Sequence, residues 1–210
     1  MTKRAPEKLA VFDFDHTLTS KDTTVYFLKY YAGPVKAYTA FLSNLPGLLM
    51  AMNGTTNWQN VKEQIFKSVF GGHTPEMIAP YGKSFAEIEI PAMLIDKVWS
   101  QLHNLRSNGY EVALLSASCS IWLKHWCEKE NITLLCTELE VINGKLTGRI
   151  DGENCYGPEK VTRLKQVYEL NKVKHMVAYG NHKSDFYYMD LANEAYLVKG
   201  NQLERYEKRG

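Results

Sequence analysis

Apolar residues in this chain fall into two kinds of pattern. Short, largely apolar runs occur at Leu9–Phe14, Tyr110–Leu115, Ile132–Leu135, His175–Tyr179 and Ala195–Val198. Each is too short for a helix and reads as a buried strand. Between most of them the spacing is helical, as over Ser120–Glu130 and Glu159–Leu170, where Val161, Leu164 and Tyr168 share a face and Pro158 suits the first turn. Strands alternating with helices predict an α/β fold, a doubly wound parallel sheet of Rossmann-like type.

Two regions break the alternation. From about Ser20 to Ile90 the pattern is helical throughout, with candidates at Thr23–Tyr31, Val35–Met52 interrupted by Pro46-Gly47, Trp58–Phe70, and Thr74–Ile88 around Pro80. This predicts a small all-helical cap domain over 20–90, inserted into a core formed by 1–19 and 91–210. The second break is Thr137–Ile150, where Asn143-Gly144 sits between two extended segments, a strong hairpin signal.

Composition narrows the function classes. The 210 residues carry a net charge of +2, which argues against a nucleic-acid partner. The basic end at Lys208-Arg209 reads as a solvated terminus. The cysteines, Cys119, Cys127, Cys136 and Cys155, have neither CxxC nor zinc spacing and suit reduced thiols in a cytoplasmic protein. No signal peptide is visible, and no apolar stretch nears the ~20 residues a membrane span needs.

The chemistry gathers at the strand ends. Asp13 and Asp15 leave the first strand two residues apart, where open α/β sheets bind ligands. The second strand runs into Ser116-Ala117-Ser118, where a hydroxyl and free amides before a helix would make an anion site. Lys160 stands in the first turn after Gly157-Pro158, and the fourth strand ends in Gly180-Asn181-His182-Lys183-Ser184-Asp185. Oxygen ligands of this kind suit Mg²⁺, which takes one or two protein carboxylates and keeps waters.

In this order, from Val11 to Ala192, the stations resemble the four motifs of the haloacid dehalogenase superfamily. A helical insert between the first two motifs resembles the cap class shared with phosphoserine phosphatases. The resemblance implies Asp13 as nucleophile and Asp15 as general acid/base, which favours a phosphatase or phosphomutase over a dehalogenase. It also implies that Ser116, Ala117 and Lys160 hold the substrate phosphate and that Asp13, Asp15, Asn181 and Asp185 serve Mg²⁺. A phosphomutase is disfavoured because no second phosphate clamp is evident. Two positions depart from the family pattern. His16 reads as a turn residue, and Asn181 stands where aspartate is usual, which predicts weaker metal binding or, at the extreme, a protein that only binds phosphorylated ligands.

The cap bears on the substrate. Phosphoserine phosphatases are expected to use a cap arginine for the substrate carboxylate, and this chain has no arginine between Arg4 and Arg106. Lys29, Lys36 or Lys62 could stand in without the bidentate fork. The insert is rich instead in Tyr, Phe, Leu and Met, which reads as helix-bundle core or as an apolar surface for a hydrophobic leaving group. Ser116-Ala117-Ser118, with the segments Gly144–Arg149 and Gly152–Leu164, resembles the phosphatidylglycerophosphatase C-like branch. That resemblance implies a lipid-type phosphomonoester and a peripheral membrane contact, beside the readings of a small-molecule phosphomonoester and of a phosphoserine phosphatase-like enzyme. Oligomeric state is left open.

Overall fold

A computed structural model describes residues 3–53, 55 and 57–209. Six strands form one sheet in the order β3-β2-β1-β6-β7-β8. They are β1 (Lys8–Phe12), β2 (Glu111–Cys119), β3 (Thr133–Thr137), β6 (His175–Gly180), β7 (Glu194–Lys199) and β8 (Gln202–Arg205), parallel except for β8. The expected doubly wound sheet is present, with β8 added at one edge. Side chains of β1 alternate: Ala10 and Phe12 enter one buried cluster, Leu9 and Val11 the other. A strand buried on both faces needs this continuous apolar run.

The chain leaves β1 first toward β2 and β3 and later returns on the other side to β6. The direction of winding therefore reverses between β1 and β6, and a crevice opens there beyond the carboxyl ends of the strands. Asp13 follows β1, and Asn181 follows β6, at that crevice.

Among the described residues six helices lie between β1 and β2, and the first five form the insert: α1 (Thr23–Ala32), α2 (Pro34–Ser43), α3 (Leu45–Met52), α4 (Trp58–Phe70) and α5 (Pro75–Met93). Side-chain caps start α1 at Asp22, α4 at Asn57 and α5 at Thr74. The break in the second cap helix falls at Asn44 rather than at Pro46-Gly47. Pro46 lacks an N–H and is accepted in the first turn of α3, so the interruption moves ahead of it. Asn44 Nδ2 donates to the Ala40 carbonyl at 2.8 Å and satisfies an end of α2. Helix α5 runs on to Met93, through both Pro80 and Pro91.

Helix α6 (Asp96–Ser107) and α7 (Ser120–Lys129) flank β2, and α8 (Pro158–Val167) follows the hairpin. Helix α8 stops earlier than its apolar pattern suggests. Tyr168 turns extended, bridges to Arg4, and donates its hydroxyl to Glu111 at 2.7 Å. A short helix α9 (Phe186–Met189) precedes β7. The hairpin signal at Asn143-Gly144 is realised as β4 (Leu139–Ile142) and β5 (Lys145–Ile150), a separate two-stranded sheet. Gly148, at φ +86°, lets β5 lie directly on α4: a Cβ there would come within 2.3 Å of Lys67 Cα. The basic end of the chain is exposed, as expected, and is also anchored, since Arg209 Nη2 reaches Asp190 at 2.6 Å and its guanidinium lies over Phe186. Among the described residues no helix is long and apolar enough to cross a membrane.

Candidate active site

Lys160 is the pivot of the crevice. Gly157 adopts φ +57°, ψ −128°, a conformation open in practice only to glycine, and starts α8 so that Lys160 points back under the sheet edge. The ammonium is 2 % exposed and lies 2.6 Å from Asp13 Oδ1 and 2.6 Å from Asp185 Oδ1. Asp13 Oδ2 accepts from the Thr17 hydroxyl at 2.8 Å, and the same hydroxyl lies 3.3 Å from Asn181 Oδ1. Asp185 Oδ2 accepts from the backbone N–H groups of Asn181 (3.1 Å) and His182 (3.0 Å). Asp13, Lys160, Asn181 and Asp185 are thus brought together as the sequence suggests.

Asp15 occupies a neighbouring position. Its Oδ1 accepts from the Thr23 amide at 2.7 Å and hydroxyl at 2.6 Å, and its Oδ2 from Ser118 Oγ at 2.6 Å. Its carboxylate is held by the start of α1 and by β2, beside the Asp13 cluster rather than in it. His16, which follows Asp15, has φ +60° and is exposed, which fits a turn residue.

The second strand corrects one expectation. β2 does not end at Leu115 but continues to Cys119, with a register shift against β3 between Ser116 and Cys119. Ser116 is therefore not at a helix start. It is fully buried, and its Oγ accepts from the Ser118 N–H at 3.0 Å. The irregularity turns Ala117 and Ser118 toward the cavity instead. Ser118, which joins Asp15 to Thr23 and Thr24, is the polar residue the sequence did not single out.

The electrostatics follow from burial. Desolvation, with repulsion from Asp185 and Asp15, pushes Asp13 up to about 7 despite Lys160. Burial and the charge of Asp22 raise Asp15 as well, against the bonds from Ser118 and Thr23. For Lys160 burial works against the charge, yet Asp13 and Asp185 more than offset it and its pKa rises. Fully ionised, the three carboxylates would leave two negative charges against one ammonium, a deficit that a divalent cation would fill. The available donors are all oxygens, with Asp13 Oδ2 and Asn181 Oδ1 facing one hydroxyl. Among the described residues no three His, Cys, Asp or Glu converge on a point. So sparse an oxygen set suits Mg²⁺, which retains several waters.

The cavity above measures about 520 Å³. Its floor is Asp13, Asp15, Lys160 and Asp185, and its roof is apolar: Leu28, Phe41, Leu48, Val61, Ile65 and Phe66 from the helical insert. Of the three insert lysines considered, only Lys62 lines it.

Residues 10–190 match the model of the haloacid dehalogenase-like hydrolases. Protein CicA of Caulobacter vibrioides is 30% identical over 188 residues, covering 89% of this chain and 83% of that protein. Among solved structures, a Bordetella pertussis protein of unknown function superposes with a TM-score of 0.78 at 21% identity, covering 92% of this chain and 89% of the other. A phosphoserine phosphatase, solved as a phospho-aspartyl intermediate analogue, superposes with a TM-score of 0.64 at 21% identity, covering 90% of this chain and 85% of that one.

Proposed function

Because the chain belongs to the haloacid dehalogenase-like hydrolases, we propose that it is a Mg²⁺-dependent phosphatase that hydrolyses a phosphate monoester through an aspartyl-phosphate on Asp13. The observation that carries this reading is the buried Asp13–Lys160–Asp185 clamp at the floor of the cavity. Lys160 fixes one oxygen of Asp13, which orients the carboxylate, and Thr17 touches the other. That oxygen attacks phosphorus and the bond to the leaving oxygen breaks. Asp15 gives the leaving oxygen its proton, a role its raised proton affinity favours. Ionised, Asp15 then takes a proton from water as the water oxygen attacks phosphorus, releasing inorganic phosphate and free Asp13. Asp13, Asn181 and Asp185 would hold Mg²⁺, which supplies charge to the phosphoryl oxygens when bound. Ala117, on the cavity wall, and Lys160 complete the phosphate side, while buried Ser116 shapes the turn through its bond from the Ser118 N–H.

The apolar roof and the absence of arginine in the insert favour a leaving group with hydrocarbon character, a lipid-type phosphomonoester, over phosphoserine. On the outer side of α2 and α3, Leu42 (66% exposed), Leu45, Leu49 and Met52 (70% exposed) would provide a peripheral membrane contact. The buried, unpaired cysteines support a cytoplasmic location.

Hydrolysis of an aryl phosphate with Mg²⁺, in the wild type and in Asp13→Asn, tests the mechanism. The substitution is expected to abolish turnover, and activity that survives it removes Asp13 as nucleophile. No hydrolysis across a broad phosphate panel would leave a phospholigand-binding protein, the outcome Asn181 makes conceivable. Phosphatidylglycerophosphate in mixed micelles, compared with phosphoserine, tests the substrate class, and a clear preference for phosphoserine sinks the lipid reading.

A further inference from the structure

We propose that Lys62 is a cap-borne contact to the substrate's phosphate, a second cation that completes the phosphoryl site; this rests on the phosphatase reading above. Lys62 projects from α4 out of the insert and into the core. Its Nζ donates to the Ala117 carbonyl and to Asn154 Oδ1, the latter at 3.2 Å. Both acceptors are neutral, and among the described residues Lys62 makes no ion pair. Half-buried Lys62 also has its Nζ 5.5 Å from the centre of the Phe66 ring, so its ammonium has hydrogen bonds and an aromatic face but no counter-charge.

Its position says which charge is missing. Ala117 adjoins Ser118, whose hydroxyl lies 2.6 Å from Asp15, so Lys62 stands at the edge of the reacting group. Lys29 and Lys36 are engaged elsewhere: Lys29 lies over the Tyr38 ring at 4.7 Å, and Lys36 donates to the Val69 carbonyl at 3.5 Å. A phosphate dianion approaching Asp13 meets Asp13, Asp15, Asp22 and Asp185 on the cavity wall, while Lys160 is already shared by two of them. Lys62 supplies the positive charge not yet committed. Only its terminal group has to turn, because α4 is clasped to the core by its neighbours. Gln59 Oε1 accepts from the Asn154 N–H at 3.0 Å, and Glu63 Oε1 from the Ile150 N–H at 3.1 Å. The ammonium then exchanges a neutral carbonyl for a phosphoryl oxygen, a charge-assisted bond of greater strength.

Phosphate is common to every substrate, so the effect is independent of the leaving group. In the Mg²⁺-loaded protein, Lys62→Gln keeps hydrogen-bonding capacity and removes the charge. It is expected to raise KM for an aryl phosphate and for a lipid-type phosphomonoester alike, and the inhibition constant of inorganic phosphate with them, each roughly 10- to 100-fold. kcat should move far less, Lys62→Arg should recover most of the loss, and Lys36→Met should behave as wild type. An unchanged inhibition constant for phosphate, or a loss confined to one leaving group, overturns the proposal. A measurement on the wild type does not depend on how the variants fold. With lysines reductively ¹³C-methylated, the Lys62 signal is expected to shift on adding inorganic phosphate, and a signal that stays in place equally overturns the idea. Absence of any hydrolysis by the wild type is a separate result that removes the phosphatase reading, because the phosphate titration of Lys62 is still readable there.

Discussion

At Gly180 the missing side chain leaves room for the Asp185 carboxylate. A Cβ there would lie 2.5 Å from Asp185 Cβ and 3.0 Å from Asp185 Oδ2. Gly180→Ala should therefore push Asp185 off Lys160. Displacements of this size are expected to cost roughly 100-fold in kcat, with circular dichroism unchanged; activity within a few-fold of wild type would show that Asp185 need not sit where it does. Asp13 leads to a second expectation. In the metal-free protein its pKa is up at about 7, so the folded state holds a proton that the unfolded chain releases at lower pH, and this contribution to stability is lost as pH rises toward 7. Mg²⁺ has to displace the same proton below pH 7. Its affinity, measured by calorimetric titration, should rise about tenfold between pH 6 and pH 8, and a flat profile would contradict the assignment of Asp13 as a ligand. Asn181→Asp should tighten Mg²⁺ at both pH values; an unchanged Mg²⁺ requirement would remove Asn181 from the metal site. These groups were legible in the sequence because each follows a local signal: an apolar strand before Asp13, a Gly-Pro helix start before Lys160, a strand and glycine before Asn181 and Asp185. Ser118 and Asn154 were not. Ser118 meets Asp15 across 103 positions, and Asn154 meets Lys62 across 92, and no periodicity reports a contact of that range.

At the scale of elements, what the pattern missed has physical causes. Helix α6 has Ile95 at its N-cap, which offers no side-chain cap, so the start signal that marks α1, α4 and α5 is absent. β2 overran its expected end because Ser116 and Ser118 bond locally and Cys119 is apolar, so the sheet keeps them although they read as a polar turn. The hairpin was visible in Asn143-Gly144, but its docking on α4 was not. That docking depends on Gly148, where both the positive φ and the 2.3 Å approach to Lys67 exclude a side chain. Gly72 separates the two effects, since it has φ +83° with nothing within 4 Å of its Cβ position. Gly72→Ala should cost only the left-handed strain, roughly 1–2 kcal/mol. Gly148→Ala should cost clearly more, because the hairpin must also lift from α4. Chemical denaturation of the two variants checks this, and equal losses would mean that the hairpin is not packed on the helix as described.

At the scale of the whole molecule, the sheet separates two buried clusters, and the cysteines are divided between them. Cys119, Cys127 and Cys136 lie on the face that also packs the helical insert, while Cys155 lies on the face of α8 and α9. All four are buried and unpaired. Burial raises every one of these thiols, Cys155 up to about 11 and Cys119 up to about 12, so none offers a thiolate to a reagent at neutral pH while folded. Labelling with a thiol reagent should therefore find no reactive group in the native protein and four after unfolding in guanidinium. The rates at low denaturant carry the further information. A stable common floor, with Lys160 bridging strand ends β1 and β6, ties both clusters to the same sheet. If the sheet opens only as a unit, all four cysteines must become reactive with one denaturant dependence. If Cys155 is labelled earlier, the α8 side opens alone and takes Lys160 with it. Phosphatase activity would then fall in step with Cys155 labelling, ahead of the other three thiols.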